Sequence, residues 1–342
     1  MTLVVTGGTG FVLSHLVRQW LEKDPSAEVI VVDRSAPDKA AEVFVRPVRH
    51  RIRFIAADIG DWQAWSGAID PAVVSRVVHG AAVSPIAPDP SVNPDKDNPA
   101  RTLAINIMGT VRALDWARQL PNLKRFIYLS SGVYGYGHQG QPDDPPEPPI
   151  TEDEPLQPDA ALYDISKATG ERLVRRFADL FGLSALSVRP SAIYGPMDRD
   201  TGARNVHPVP WHMAHRAVAG QAFRVNSLQG SYDRLYAPDV GRAMVHLLEA
   251  DAPRHAAYNI GYGERATISD LAEGVRLAAP DFAISEAPAA AADYVQPLHM
   301  RGGVWRVRSR ARLEDEFGWR PTPHRDAMAD YVRWLRDSGA GS

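Results

Sequence analysis

The first dozen residues constrain this chain most. Leu3-Val4-Val5 is a short apolar run of the kind that forms a buried strand, and Thr6-Gly7-Gly8-Thr9-Gly10-Phe11 follows it directly. A helical pattern then opens over 11–22. Strand, glycine-rich turn and helix in this order make an anion site. Gly7 supplies the tight turn, Gly10 lets the backbone approach a pyrophosphate, and the helix N-terminus presents free N–H groups and the positive end of its dipole. Val29–Val32 reads as the next strand, and Asp33 closes it, about twenty residues past the glycines. A carboxylate there accepts bonds from ribose hydroxyls and repels a 2′-phosphate, so NAD is expected over NADP, with Arg34 next door the one feature favouring NADP. Asp58, after a strand at Phe54–Ala56, suits the adenine. Leu13 departs from the pattern, which wants a small residue where helix packs on strand. Either it pushes the helix away and loosens the dinucleotide, or smaller residues on the neighbouring strand make room for it.

The alternation continues. Strands are expected at Arg76–His79, 125–129 and 185–188, with helices over 101–119 and 161–181. Short apolar runs alternating with helices predict a parallel sheet covered on both faces. Two stretches rich in Pro, Asp and Asn, 84–100 and 138–160, read as long loops. After about 190 the pattern loosens, with helices near 210–219, 238–250, 267–278 and 323–337. A smaller second domain interleaved with the first is expected.

Composition removes several classes. The net charge of −3 offers no basic excess for nucleic acid or an anionic membrane. The chain has no cysteine, which excludes a disulfide framework, a thiolate nucleophile and a Cys-based zinc site. Its 11 histidines form no metal-binding motif, so no metal is assigned. No signal peptide or membrane span is expected, and the location is expected to be cytoplasmic.

Tyr163 and Lys167 stand four apart on the helix expected over 161–181, and so share a face. A free phenol, with a pKa near ~10, is a poor base at neutral pH. A neighbouring ammonium and the positive nicotinamide ring of NAD⁺ both favour the phenolate, which can then take a hydroxyl proton as hydride leaves carbon. Lys167 can also hold the nicotinamide ribose. Ser130 and Ser131 end the strand at 125–129, where ligands of parallel sheets bind, and a hydroxyl there can steady a substrate oxygen. Arg301, Arg306 and Arg308 around Trp305 read as a solvated basic face, and the acidic stretch 143–154 as a solvated loop.

These motifs, with His79-Gly80-Ala81-Ala82, Val133-Tyr134-Gly135, Tyr163-Asp164-Ile165-Ser166-Lys167 and Arg189 to Pro196, occur in an order that resembles the extended short-chain dehydrogenase/reductase family, its NAD-dependent epimerase/dehydratase group. The resemblance covers nearly the whole chain. It implies an α/β, Rossmann-type doubly wound parallel sheet with a smaller, interleaved C-terminal substrate domain. The NAD-binding part would be 1–190, with a segment near 234–260 returning to it, and the substrate-binding part 191–233 and 261–338. The catalytic set would be Ser131, Tyr163 and Lys167. Aligning the strand selects Ser131; aligning the loop after it selects Ser130. The implied cofactor set is Gly7, Gly10, Phe11, Val12, Asp33, Arg34, Asp58, Ile59, Ala81, Ala82, Asn106, Tyr163, Lys167, Pro190 and Ile193. The implied substrate set is Ser84, Ser131, Gly132, Tyr134, Ala192, Asn205 and Arg234. A homodimer through 101–119 and 161–181 is also implied.

Dehydratases of this group carry Asp-Glu before the Val-Tyr-Gly element; Ser131 and Gly132 stand there instead, which argues against water loss. Three readings stay open: an NAD-dependent oxidoreductase acting on a secondary alcohol of a sugar, sugar acid or similar small molecule; a nucleotide-sugar epimerase with tightly held NAD; and a non-catalytic NAD-binding regulator.

Overall fold

The computed structural model of the chain describes residues 2–83, 99–132, 148–156, 161–200, 207–296 and 306–339. The first half holds strands β1 (Thr2–Thr6), β2 (Glu28–Asp33), β3 (Ile52–Ala56), β4 (Val74–His79), β5 (Arg125–Leu129) and β6 (Ala185–Pro190). Between them lie helices α1 (Leu13–Lys23), α2 (Lys39–Val45), α3 (Trp62–Ser66), α4 (Pro99–Leu103), α5 (Gly109–Ala117) and α6 (Leu162–Phe181). The remainder holds short strands β7 (Ala192–Tyr194), β8 (Phe223–Val225), β9 (Ser231–Tyr232), β10 (Arg234–Tyr236), β11 (Ala257–Ile260), β12 (Ala266–Thr267) and β13 (Ile284–Glu286). Its helices are α7 (Val209–Val218), α8 (Ala237–Glu249), α9 (Ile268–Ala278), α10 (Ala311–Phe317) and α11 (His324–Ser338).

Among the described residues seven strands form one parallel sheet in the order β11-β6-β5-β4-β1-β2-β3. This is the Rossmann-type doubly wound sheet that the apolar runs predict. Side chains alternate across it. Leu3 and Val5 join one core with residues of α1 and α8, while Val4 joins the other with residues of α5 and α6. The chain leaves β1 toward β2 and β3, then returns to place β4 on the other side of β1. The reversal opens a crevice beyond Thr6 and His79, which lie in register at the C-terminal ends of β1 and β4.

A third core gathers α7, α9 and α11 with Phe223 and Val225 into a smaller layer. Leu313 of α10 and Trp319 pack instead into the first core, with α8 and β11, so 311–319 does not go with the rest of 261–338. The helix expected over 101–119 is interrupted: α4 and α5 flank a π-helical turn, Ala104–Met108. Such turns are frequent at functional sites.

Among the described residues, three histidines are buried and held neutral. Burial pulls His15 down to about 4, His79 to about 3 and His324 to about 4. His15 reaches the Pro196 carbonyl at 2.8 Å.

Candidate active site

Gly7 occupies the left-handed region at φ +79°, and a Cβ there would stand 3.0 Å from the Ala81 nitrogen. Only glycine satisfies both conditions. Its N–H donates to the Val32 carbonyl at 2.9 Å and its own carbonyl accepts from Gly10 at 3.2 Å, folding the loop back over the sheet. Phe11 is buried against His15, and Val12 precedes the first residue of α1. Leu13 finds its room across the crevice. A Cβ on Gly80 would lie 2.3 Å from Leu13 Cδ1, so the missing side chain of Gly80 is the space that the leucine fills. The space comes from a small residue just past the neighbouring strand β4, in line with the second of the two expectations for Leu13.

Asp33 is oriented by Thr9, whose hydroxyl and backbone N–H donate to Oδ2 at 2.6 and 3.2 Å. Oδ1 accepts no bond among the described residues. Arg34 beside it is exposed. Asp58 is exposed, its Oδ1 taken by the Gly60 N–H at 2.8 Å, while Ile59 is buried beneath. The bare loop, the open carboxylate and the free end of α1 fit a dinucleotide.

A chain of hydroxyls ties this loop to α6. Thr6 Oγ1 accepts from the N–H groups of Gly80 and Ala81 at 3.2 and 3.3 Å, so its own proton goes to His79 Nδ1 at 2.8 Å. Nε2 must then carry the imidazole proton, which it donates to Thr110 Oγ1 at 3.1 Å; Thr110 donates to the Asn106 carbonyl at 2.6 Å. Asn106, inside the π turn, pairs with both backbone groups of Val83 at 2.8 and 2.9 Å and donates to Ser166 Oγ at 2.9 Å. Ser166 donates to the Tyr163 carbonyl at 2.7 Å. The segment Ala81–Val83 is thereby fixed between the loop and the helix. Nothing in the sequence marked His79, Thr110 or Ser166 as parts of one network; their separation along the chain conceals it.

Lys167 is 2% exposed, and its Nζ donates to the Leu129 carbonyl at 2.8 Å, the last residue of β5. The ammonium lies 5.6 Å from the centre of the Tyr163 ring and 5.1 Å from that of Tyr128. Burial brings it down to about 8. One bond therefore places the tyrosine helix over the strand end that bears the serine pair. Ser130 continues the sheet through a 2.9 Å bond to the Val188 carbonyl, and its buried hydroxyl has no hydrogen-bond partner. Ser131 is half-buried. Pro190 ends β6 opposite Ile260, and Ala192 and Ile193 pair with Arg234 and Leu235. Ser84, Tyr134 and Asn205 lie outside the described residues.

Two surface assignments are corrected. Arg308 is buried, with Nη2 at 3.3 Å from the Gly132 carbonyl, and Arg306 forms a two-bond pair with Glu154 at 2.6 and 2.7 Å. Glu152 is buried and accepts the Asn259 N–H at 2.7 Å. The described parts of the basic and acidic stretches meet through a bridge between Ile150 and Arg308, and Glu152 and Arg308 are buried.

A crevice at the reversal of a parallel sheet, faced by a tyrosine and a buried lysine one helical turn apart, defines the class: an enzyme of the extended short-chain dehydrogenase/reductase type. Residues 3–261 match the NAD dependent epimerase/dehydratase family, and the chain belongs to it. The chain is similar to the UDP-glucose 4-epimerase of Mycolicibacterium smegmatis, 26% identical over 82% of this chain and 84% of that protein. It is also similar to the dTDP-4-dehydro-6-deoxy-D-allose reductase of Streptomyces bikiniensis, 27% identical over 98% and 96%. Among solved structures, the UDP-glucose 4-epimerase of Thermotoga maritima superposes with a TM-score of 0.75 over 99% of both chains at 23% identity, a likeness of fold.

Proposed function

We propose that this chain moves hydride at a secondary alcohol or carbonyl carbon of a sugar, sugar acid or similar small polar alcohol, with Tyr163 as acid and base. The observation that carries the reading is the seat of Lys167: its bond to Leu129 joins the tyrosine helix to the Ser130–Ser131 strand end and leaves a positive charge beside the phenol. Charge there stabilises the phenolate, so Tyr163 can accept the hydroxyl proton and return it in the reverse direction. Ser131 holds the substrate oxygen; the buried Ser130 braces the strand. NAD, bound with its pyrophosphate over Gly7 and Gly10 and its ribose at Asp33, supplies the hydride acceptor. Tyr163→Phe should lower turnover by about 10²- to 10⁴-fold while NAD⁺ affinity stays the same. Unchanged turnover in that variant refutes the assignment.

A second reading, a nucleotide-sugar epimerase that keeps its NAD, is favoured by the names of the relatives, which act on UDP- and dTDP-sugars, and it keeps the same residues. A substrate screen with NAD⁺ separates the two. Reduced cofactor accumulating with a free alcohol supports net oxidation; an isomerised nucleotide sugar without reduced cofactor supports epimerisation. The family and the retained Tyr163, Lys167 and serine pair count against a regulator without catalysis.

The homodimer belongs to the same proposal. Met108 in the π turn and Ile165, Leu180 and Phe181 on or at the end of α6 are large apolar residues left exposed, on the two helical segments expected to pair. Replacing Met108 and Phe181 by Glu should yield a monomer in sedimentation; an unchanged mass sinks the dimer through these helices. No described helix is long and apolar enough to cross a membrane, and a chain without cysteine suits the reducing cytoplasm that we assign to it.

A further inference from the structure

Four arginines are largely buried among the described residues, and two of them have both terminal nitrogens engaged. Arg189 pairs with Glu171 at 2.6 Å, and Arg125 donates to Ser184, Ala250 and Asp251. Arg234 and Arg308 differ. Nε and Nη2 of Arg234, and Nε of Arg308, meet no hydrogen-bond partner. Asp233 is the carboxylate near Arg308, but its oxygens are taken by backbone N–H groups, Oδ1 by Tyr262 at 3.0 Å and Oδ2 by Arg308 at 2.8 Å. The carboxylate whose charge Arg308 feels thus has both oxygens taken by backbone N–H groups, and Arg234 meets tyrosines rather than a carboxylate. A buried cation left in this state is costly unless an anion arrives.

Arg308 is held in place by construction. Val307 accepts the Ile150 N–H at 2.8 Å, Ser309 donates to the Ile150 carbonyl at 2.8 Å, and the Arg308 N–H is the one bonded to Asp233. Two glycines open its space. A Cβ on Gly132 would lie 1.7 Å from Nη2, and one on Gly261 would lie 2.9 Å from the Arg308 Cβ. The guanidinium therefore rests on the residue next to Ser131, about one Cα–Cα step of ~3.8 Å further on. An anion received there sits beside the reacting carbon. A carboxylate on the same small molecule meets that condition.

We infer that Arg308 is the anion-binding residue of the substrate site and receives a carboxylate carried by the reacting molecule itself. This rests on the reading of Tyr163 as the place of hydride transfer, which is what brings the substrate beside Gly132. The planar donor fork of arginine matches a carboxylate in two parallel bonds, which a lysine cannot reproduce.

The test compares a hexuronate with the corresponding neutral hexose and hexose phosphate, with NAD⁺, in wild type, Arg308→Met and Arg308→Lys. The wild type should prefer the hexuronate. Arg308→Met should lower the ratio of kcat/KM for hexuronate over hexose by about 30-fold or more, chiefly through KM, with NAD⁺ affinity showing that the protein is folded. Should the methionine variant unfold, the lysine variant decides: the same ratio must fall by about 5-fold or more. A wild type indifferent to the carboxylate, a ratio that ignores Arg308, or the hexose phosphate alone depending on it, each overturns the inference. Titration of the NAD⁺ complex with hexuronate separates the two readings. Binding that Arg308→Met abolishes, with no cofactor reduced, leaves Arg308 standing and refutes hydride transfer. Turnover of the hexuronate indifferent to Arg308 does the reverse.

Discussion

Replacing Gly80 by alanine tests how the nucleotide crevice is closed. The new methyl would fall 2.3 Å from Leu13 Cδ1 and 3.2 Å from Leu129 Cδ2. Carbon atoms rest at about 3.5–4.0 Å, so the leucine must retreat by more than ~1 Å. It is 2% exposed, with Leu16 and Val17 of the same helix in its core, and has little room to turn. The overpacking should cost about 1–3 kcal/mol. Leu13→Ala alone should cost about 2–5 kcal/mol through the cavity it leaves. In the double variant the alanine methyl enters part of that cavity, so the combined loss should fall short of the sum by at least ~1 kcal/mol. Urea unfolding of the four proteins measures this. NAD⁺ titration gives a second readout, because α1 carries the pyrophosphate end of the crevice: affinity should drop in Gly80→Ala and recover in the double variant. Additive losses, or a Gly80→Ala protein within about 0.5 kcal/mol of wild type, would show that Leu13 and Gly80 do not share one space.

Two further outcomes follow from the site. Asp33→Ser removes the open carboxylate, and should weaken NAD⁺ by about 10-fold or more while improving NADP⁺ relative to it, as read from the two dissociation constants; an unchanged preference places the ribose elsewhere. Lys167 titrates near 8 when folded, against 10.5 for the ordinary side chain. Over that window the unfolded chain keeps a proton that the folded one has released, so stability should rise with pH by about 1.4 kcal/mol per unit, the burial cost being complete below 8. Lys167→Met should lose this rise between pH 8 and 10, and equal slopes in wild type and variant count against a buried, proton-shedding lysine.

What could be read from the sequence is what neighbouring residues decide together. Gly7 to Phe11 sit against β1, Asp33 ends β2, and Lys167 follows Tyr163 on one helix; in each case the chemistry and the geometry lie within one element or its end. The remainder depends on residues far apart in the chain. Leu13 looked out of place until Gly80 supplied its space. Of the serine pair, Ser130 is buried and Ser131 half-buried, a difference set by what packs around the strand end and not by the local sequence. Glu152 and Arg308 each stand in a charged stretch that reads as solvated surface. Glu152 meets Asn259, Arg189 and Arg312, and Arg308 meets Asp233, Gly132 and Gly261, and no local pattern carries that information.

The buried neutral histidines also limit the conditions that the enzyme tolerates. His15, His79 and His324 accept protons at about 4, 3 and 4 in the fold, but near 6.5 once the chain opens. Their contribution is intact above 6.5. As pH falls below it, each withdraws about 1.4 kcal/mol per unit, so three together take away about 4 kcal/mol per unit until the folded forms begin to titrate. Against a total of ~5–15 kcal/mol for an ordinary domain, that slope is steep. His79, linked through Thr6 to the phosphate loop, puts one of these three protons at the centre of the cofactor site. Stability should therefore fall steeply as the medium turns mildly acidic, which unfolding by urea at pH 7 and pH 5 would measure.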